Sequence, residues 1–143
     1  MMRQGMAPVL VVEYDDGVRN VLHDILTDAG YKVIEARTDG AALDFLAVCP
    51  EGVVVLCSNK YLEHHRSTAF FAQVVANEHF TSRHQYLMLS SSPSAIPPEL
   101  QTHLAQLNAA ILPKPFDVDN LVTTVRQAAA RLAPGDTGTS ATG

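Results

Sequence analysis

The chain has 143 residues, of which 47% are hydrophobic, and its formal net charge at pH 7 is −5. A chain of this length and composition fits one domain with a proper hydrophobic core, and the absence of a basic stripe argues against nucleic acid as a partner. With two cysteines, no signal-peptide pattern and no apolar stretch long enough to cross a membrane, we expect a soluble cytoplasmic protein.

Five short apolar runs predict five β-strands. In chain order the runs cover residues 9–12, 33–34, 53–57, 86–89 and 109–112. Their apolar residues are continuous and do not alternate with polar ones, which is typical of strands buried on both faces of a parallel sheet.

Helical periodicity fills the intervals between these runs. The first helix keeps one apolar face from Val18 and ends at Gly30, and Thr38 can cap the second. A third helix is marked by residues 69–75, and a fourth begins near Pro98. The last helix is capped by Asp117, so five helices are predicted in all.

Strands that alternate with helices predict a doubly wound α/β fold with a parallel sheet. In such folds ligands bind beyond the carboxyl ends of the strands. The residues that directly follow the predicted strands are therefore the first candidates for a functional site. They are Glu13, Tyr14, Asp15, Asp16, Cys57, Ser58, Ser90, Ser91, Lys114 and Pro115.

Four segments in chain order resemble the receiver domain of bacterial response regulators. They read VLVVEYDDGVRNVL, DAGYKVIEARTDGAALDFL, LMLSSS and LPKPFDVDNLV, and the resemblance covers about residues 8 to 132. It implies a flavodoxin-like (βα)5 fold whose five parallel strands follow the order 2-1-3-4-5. We accordingly expect an N-terminal extension over residues 1–7, a receiver-like domain over 8–133, and a disordered, small and polar tail over 134–143.

The resemblance also assigns a role to each strand end. Receivers hold Mg²⁺ with an acidic pair after the first strand and accept a phosphoryl group on an aspartate that ends the third. A hydroxyl after the fourth strand and a lysine after the fifth then contact that group. In this chain Glu13 matches the first acid, but Tyr14 stands at the second and Cys57 at the phospho-accepting position. Ser90 matches the hydroxyl and Lys114 the lysine, with the Lys114–Pro115 bond expected to be cis.

These replacements predict that phosphotransfer has been lost. A thiol cannot form the acyl phosphate on which the receiver switch depends, and the soft sulfur and neutral phenol are poor ligands for a hard cation. We therefore expect no cofactor and weak or absent Mg²⁺ binding, with Glu13 and Asp15 as the remaining candidate metal ligands. We assign no catalytic residue and expect that the protein is not an enzyme.

Each candidate residue also has a purely structural interpretation. Cys57 is then a small buried hydrophobic residue, and the alternative is a reactive thiol. Lys114 pairs with Glu13, Asp15 is an acid favoured by the helix dipole, and Ser90 is a loop hydroxyl that caps the next turn.

Two functional hypotheses remain. The first is a stand-alone receiver-like signalling module of a two-component or phosphorelay system that acts through protein partners. Such a partner would be a histidine kinase, another regulator or a second copy of the chain. The second is a thiol, redox or small-ligand sensor that uses Cys57; a flavin is disfavoured because the acids of EYDDG would repel its phosphate.

For the first hypothesis, receivers usually bind through the face formed by their fourth helix, fifth strand and fifth helix. Ile111 lies on this face, where receivers carry a switching aromatic residue. The predicted interaction residues are His103, Gln106, Ile111, Asn120, Thr124, Arg126 and Gln127.

Overall fold

The computed structural model describes residues 7–58, 66–90, 96–113 and 117–132, with the backbone alone for Arg66 and Ser67. The strands are β1 Val9–Val12, β2 Val33–Ala36, β3 Val54–Ser58, β4 Gln85–Ser90 and β5 Ala110–Pro113. The helices are α1 Asp16–Asp28, α2 Asp39–Val48, α3 Arg66–Val75, α4 Glu78–Arg83, α5 Pro98–Leu107 and α6 Val118–Ala130. The predicted tail over 134–143 and the predicted extension over 1–7, except residue 7, lie outside these ranges.

The strands form one parallel sheet in the order β2-β1-β3-β4-β5. This confirms the predicted flavodoxin-like topology. The register places Val12 of β1 beside Cys57 of β3, and Cys57 beside Met88 of β4. The carboxyl ends of the three central strands therefore meet at one edge of the sheet.

Both faces of the central strands are covered, which explains why their apolar runs do not alternate. On one face, Val12, Cys57 and Met88 pack in a cluster with side chains of α2, α3 and α5. On the other face, Val11 and Leu56 pack with side chains of α1 and α6. The outer strands β2 and β5 are only partly buried.

The predicted helix ends are confirmed. The side chain of Thr38 accepts a hydrogen bond from the Ala41 amide, and Asp117 accepts one from the Asn120 amide. Gly30 follows α1 with a φ of 100°, a left-handed conformation that glycine adopts without steric cost.

The helix count differs from the prediction, because the short helix α4 stands between α3 and β4. Asn77 caps it by accepting a hydrogen bond from the His79 amide, and Phe80 is its buried residue. One buried apolar position cannot establish a helical period, so hydrophobic periodicity could not predict the short helix α4. In the described part of the chain, no helix has the length and apolar character needed to cross a membrane.

Candidate functional site

The predicted site residues of β1, β3 and β4 are brought together by the sheet. Glu13 directly follows β1, whereas Cys57 and Ser58 end β3 and Ser90 ends β4. Because neighbouring parallel strands end on the same side, these residues lie at one carboxyl edge. Lys114, its peptide bond to Pro115 and Ser91 lie outside the described residues.

Glu13 is buried, with 2% of its surface exposed. Its amide donates to the Ala36 carbonyl oxygen of β2 at 3.0 Å, which fixes the backbone as it leaves the sheet. Its side-chain Oε2 accepts a hydrogen bond from the Asp15 amide at 2.8 Å. Oε1 is also buried and has no hydrogen-bond partner among the described residues. The Glu13 carboxylate is therefore turned toward its own loop and away from solvent.

Tyr14 is oriented quite differently, since 59% of its surface is exposed. Its carbonyl oxygen accepts a hydrogen bond from Arg19 at 3.4 Å. Tyr14 therefore presents much of its surface to solvent, while its carbonyl oxygen is held by Arg19.

The acids after Tyr14 stabilise the start of α1. Asp15 is the N-cap residue, and its Oδ1 accepts a hydrogen bond from the Val18 amide at 3.0 Å. Asp16, in the first turn, forms ion pairs with Arg19 at 2.5 Å and with Arg37 at 3.0 Å. The hydrogen bond from Arg19, followed by the charge of Arg37, holds the pKa of Asp16 below its usual value. The positions of Asp15 and Asp16 are therefore explained by their role at the start of α1.

Arg19, near the start of α1, contacts this loop in a way that the sequence did not suggest. Only 8% of its surface is exposed, and its guanidinium donates to the Glu13 carbonyl oxygen at 2.9 Å. Its Nε lies 3.5 Å from the Glu35 carboxylate of β2. The hydrogen bond to Asp16, above all other contributions, raises the pKa of Arg19, so the side chain remains charged. The i,i+3 spacing of Asp16 and Arg19 was the available sequence signal.

Cys57 is a free cysteine with 4% of its surface exposed. It belongs to the same apolar cluster as Val12 and Met88, and its thiol donates weakly to the Ser58 carbonyl oxygen at 3.8 Å. A thiol reacts readily only when it is partly accessible and ionised. This position therefore favours the interpretation of Cys57 as a small buried hydrophobic residue.

Ser90 is fully buried at the end of β4, opposite Pro113 of β5 in the register. The structure places Ser90 as the last residue of β4, not in the loop that follows. Ser58, at the end of β3, is half-buried. Across the described part of the chain, no three His, Cys, Asp or Glu residues form a group that could hold a metal ion.

The predicted interaction residues do not form one continuous face. Asn120 and Thr124 are one helical turn apart on α6 and joined by a hydrogen bond of 2.7 Å, and Gln127 continues their side of the helix. Arg126 is two residues from Thr124, about 200° around the helix. Burial raises the pKa of Tyr31 and the nearby charge of Arg126 partly offsets that rise, so Arg126 lies on the α1 side of α6. Arg126 therefore lies on a different side of α6 from Thr124, and its part in partner binding stays a prediction.

The rest of the predicted face lies around β5. Gln106 is exposed, and Ile111 exposes 39% of its surface. The side chain of His103 is only 15% exposed, with its Nε2 3.9 Å from the Glu99 carboxylate, so it contributes little surface. Gln106, Ile111, Asn120 and Gln127 are exposed and Thr124 is half-buried, and none of these five residues carries a charge. We call this set the β5 face.

Comparisons with solved structures identify the fold. The chain is similar to the CheY-like response regulator receiver domain protein from Methanospirillum hungatei, with 24% identity, a TM-score of 0.67, and coverage of 88% of this chain and 94% of that one. It also matches the chemotaxis response regulator CheY4 of Vibrio cholerae, at 24% identity and a TM-score of 0.69 over 86% and 98% of the two chains.

A third similar structure is the non-phosphorylated HemR receiver domain from Leptospira biflexa, with 20% identity and a TM-score of 0.68 over 90% of this chain and 98% of that one. Neither a protein-family model nor a curated protein matches the chain. The shared feature is the CheY-like flavodoxin-like fold.

Proposed function

We propose that this chain is a cytoplasmic receiver-like signalling module of two-component type that acts by binding protein partners and takes no phosphoryl group. The observation that carries this proposal is Cys57, which ends β3 within an apolar cluster and is 4% exposed. In the resembling family this strand end carries the phospho-accepting aspartate. A thiol at that place supplies no carboxylate for an acyl phosphate.

The neighbouring side chains support the same proposal, because they do not fit the Mg²⁺ that phosphotransfer in receivers requires. This cation prefers several oxygen ligands in near-octahedral geometry. Asp15 caps α1, Tyr14 is mostly exposed, and Cys57 offers a soft sulfur. We expect Mg²⁺ binding to be weak or absent, and we assign no catalytic residue and no enzymatic activity.

We further propose that partners bind the β5 face. Its five residues carry no charge, and Ile111 provides an exposed apolar contact on the outer strand. Charged residues are depleted in the centres of protein interfaces, whereas aliphatic and amide side chains are compatible with them. The occupant would be a protein of the same signalling pathway, such as a histidine kinase or another regulator, or a second copy of the chain.

Incubation with acetyl phosphate and Mg²⁺, followed by intact mass measurement, tests the first part of the proposal. We expect no mass increase, and no change in spectrum or thermal stability with beryllofluoride and Mg²⁺. A phosphorylatable receiver domain treated in parallel provides the positive control. Detection of an acid-labile or hydroxylamine-sensitive phosphoprotein would show that the proposal is wrong.

Substitutions on opposite sides of α6 test the binding face. Thr124→Glu combined with Gln127→Glu should weaken self-association in sedimentation velocity, or binding of a pathway partner where the chain is a monomer. Arg126→Glu is the matched control, because it changes charge on the same helix but faces the α1 side. Equal loss from both changes would place the interface on the α1 side as well.

A further inference from the structure

The loop from Glu13 to Asp16 is held by hydrogen bonds within the loop and from the first turns of α1. The Asp15 amide donates to Glu13 Oε2, and the Val18 amide donates to Asp15 Oδ1. Arg19 reaches over the loop and donates to the carbonyl oxygens of Glu13 and Tyr14. The first two contacts use carboxylate oxygens, the ligands that a hard cation needs.

Burial reinforces this closure. Glu13 is 2% exposed, and its second carboxylate oxygen is also inaccessible, with no hydrogen-bond partner in the described parts of the chain. Arg19 of α1 is 8% exposed and forms ion pairs with Asp16 of the same helix and with Glu35 of β2. A cation in solvent can therefore reach the Glu13 carboxylate only after the groups that cover it move.

We propose that the contact between Glu13 and the Asp15 amide acts as a clasp, which excludes divalent cations from this edge whatever residues stand at positions 14 and 57. This inference rests on the proposed function, since it concerns the same edge of the sheet. It goes further in one respect. Restoring the missing carboxylates is not sufficient to restore metal binding, because Glu13 is withheld by the backbone of its own loop.

Position 15 allows the clasp to be opened selectively. Asp15→Pro removes the amide proton that Glu13 accepts, and the Asp15 φ of −78° is within the range of proline. The same chain already uses Pro97 as the N-cap of α5, with a φ of −59°. Asp15→Ala is the matched control, because it loses the side-chain cap in the same way but retains the amide proton.

The experiment starts from Tyr14→Asp with Cys57→Asp, which restores both carboxylates. To this protein we add either Asp15→Pro or Asp15→Ala, and thermal unfolding is followed as MgCl₂ is raised. We expect no Mg²⁺-dependent shift in the starting protein or with Asp15→Ala. With Asp15→Pro, the midpoint should rise by about 5 °C once Mg²⁺ reaches about ten times its dissociation constant.

Two results would overturn the clasp. One is Mg²⁺ stabilisation of the starting protein equal to that of the Asp15→Pro protein. The other is a folded Asp15→Pro protein that shows no response to Mg²⁺. Neither result would bear on phosphorylation of the wild type, which the mass measurement decides separately.

Cys57→Asp introduces a carboxylate where 4% of the residue is exposed, so these variants carry a risk of unfolding. Amide hydrogen exchange of Asp15 in the unmodified protein provides a second test by NMR. We expect exchange at least about tenfold slower than in an unprotected chain, and unaffected by Mg²⁺. Unprotected exchange at Asp15, or a marked change with Mg²⁺, would also overturn the proposal.

Discussion

His84, just before β4, is a buried imidazole whose environment favours the neutral form. The residue is 2% exposed, and its Nδ1 accepts a hydrogen bond from the Val53 amide at 3.1 Å. Its ring stands edge-on to Tyr86 with the centroids 6.5 Å apart, and its Nε2 has no hydrogen-bond partner in the described portion of the chain. Protonation would place a charge in this site, and Nδ1 could no longer accept if it carried the proton.

Burial lowers the pKa of His84 from 6.5 to about 4, and the charges of Arg83 and His79 act in the same direction. Between these values the unfolded chain binds a proton that the folded chain does not. The free energy of unfolding should therefore fall as the pH falls from 6.5 to about 4, and this contribution should be constant above and below that window. At about 1.4 kcal/mol per pKa unit, the loss is roughly 2 kcal/mol by pH 5 and roughly 3 kcal/mol in full.

His84→Asn isolates this contribution from other groups that titrate in the same range. The asparagine side-chain oxygen can accept the hydrogen bond from Val53, but the side chain does not titrate. At about pH 7.5 we expect the variant to be less stable by about 1–2 kcal/mol, because the ring contact with Tyr86 is lost. By about pH 5 the difference should have moved by about 2 kcal/mol in favour of the variant. Urea denaturation followed by far-UV circular dichroism measures both values.

His84→Leu separates the hydrogen bond from the titration. Leucine retains apolar volume but leaves the Val53 amide without its acceptor, at a cost of about 1–3 kcal/mol. Its difference from His84→Asn should not depend on pH. If the difference between wild type and His84→Asn is constant from about pH 7.5 to about pH 5, His84 has an ordinary pKa in the folded chain, and the reasoning is refuted.

Two further predictions concern packing and thiol access. Gly52→Ala should lower the free energy of unfolding by about 1–3 kcal/mol in urea, since an added Cβ would lie 2.7 Å from the Arg83 carbonyl oxygen and 3.2 Å from Leu132. Gly40→Ala is the control, because its added methyl group would meet nothing closer than 4.0 Å, and equal losses would contradict the packing argument. In a Cys49→Ser protein, Cys57 should react with a disulfide reagent only as fast as the protein opens; rapid labelling would instead support the thiol-sensor hypothesis.

The fold could be predicted from the sequence because its strongest signal is the burial of the central strands on both faces. Runs such as VVVLC have no polar residue to turn toward solvent, which is compatible with an interior strand of a parallel sheet. The helix ends were predictable for a related reason, since Thr38, Asp117 and Gly30 act through contacts within a few residues. Helix α4 lacked such a pattern, because only Phe80 is buried in it.

The site could be predicted in position but not in side-chain orientation. Strand ends fix which residues meet at the carboxyl edge, and Glu13, Cys57 and Ser90 do lie there. Whether Tyr14 turns inward or outward depends on loop geometry that residue type does not determine. The two sides of α6 were within reach of the sequence, because the 100° rotation per residue already separates Arg126 from Thr124.

Arg19 shows why the loop geometry matters for the proposed function. Burying a guanidinium is costly unless hydrogen bonds and opposite charges replace water, and here two carbonyl oxygens and the carboxylates of Asp16 and Glu35 do so. These contacts all favour one arrangement of the loop, and all of them come from the chain itself. A phosphorylation switch requires two arrangements of similar free energy that a ligand can exchange. The proposed module takes no phosphoryl group and needs no such exchange, and a loop held by contacts within the chain is compatible with it.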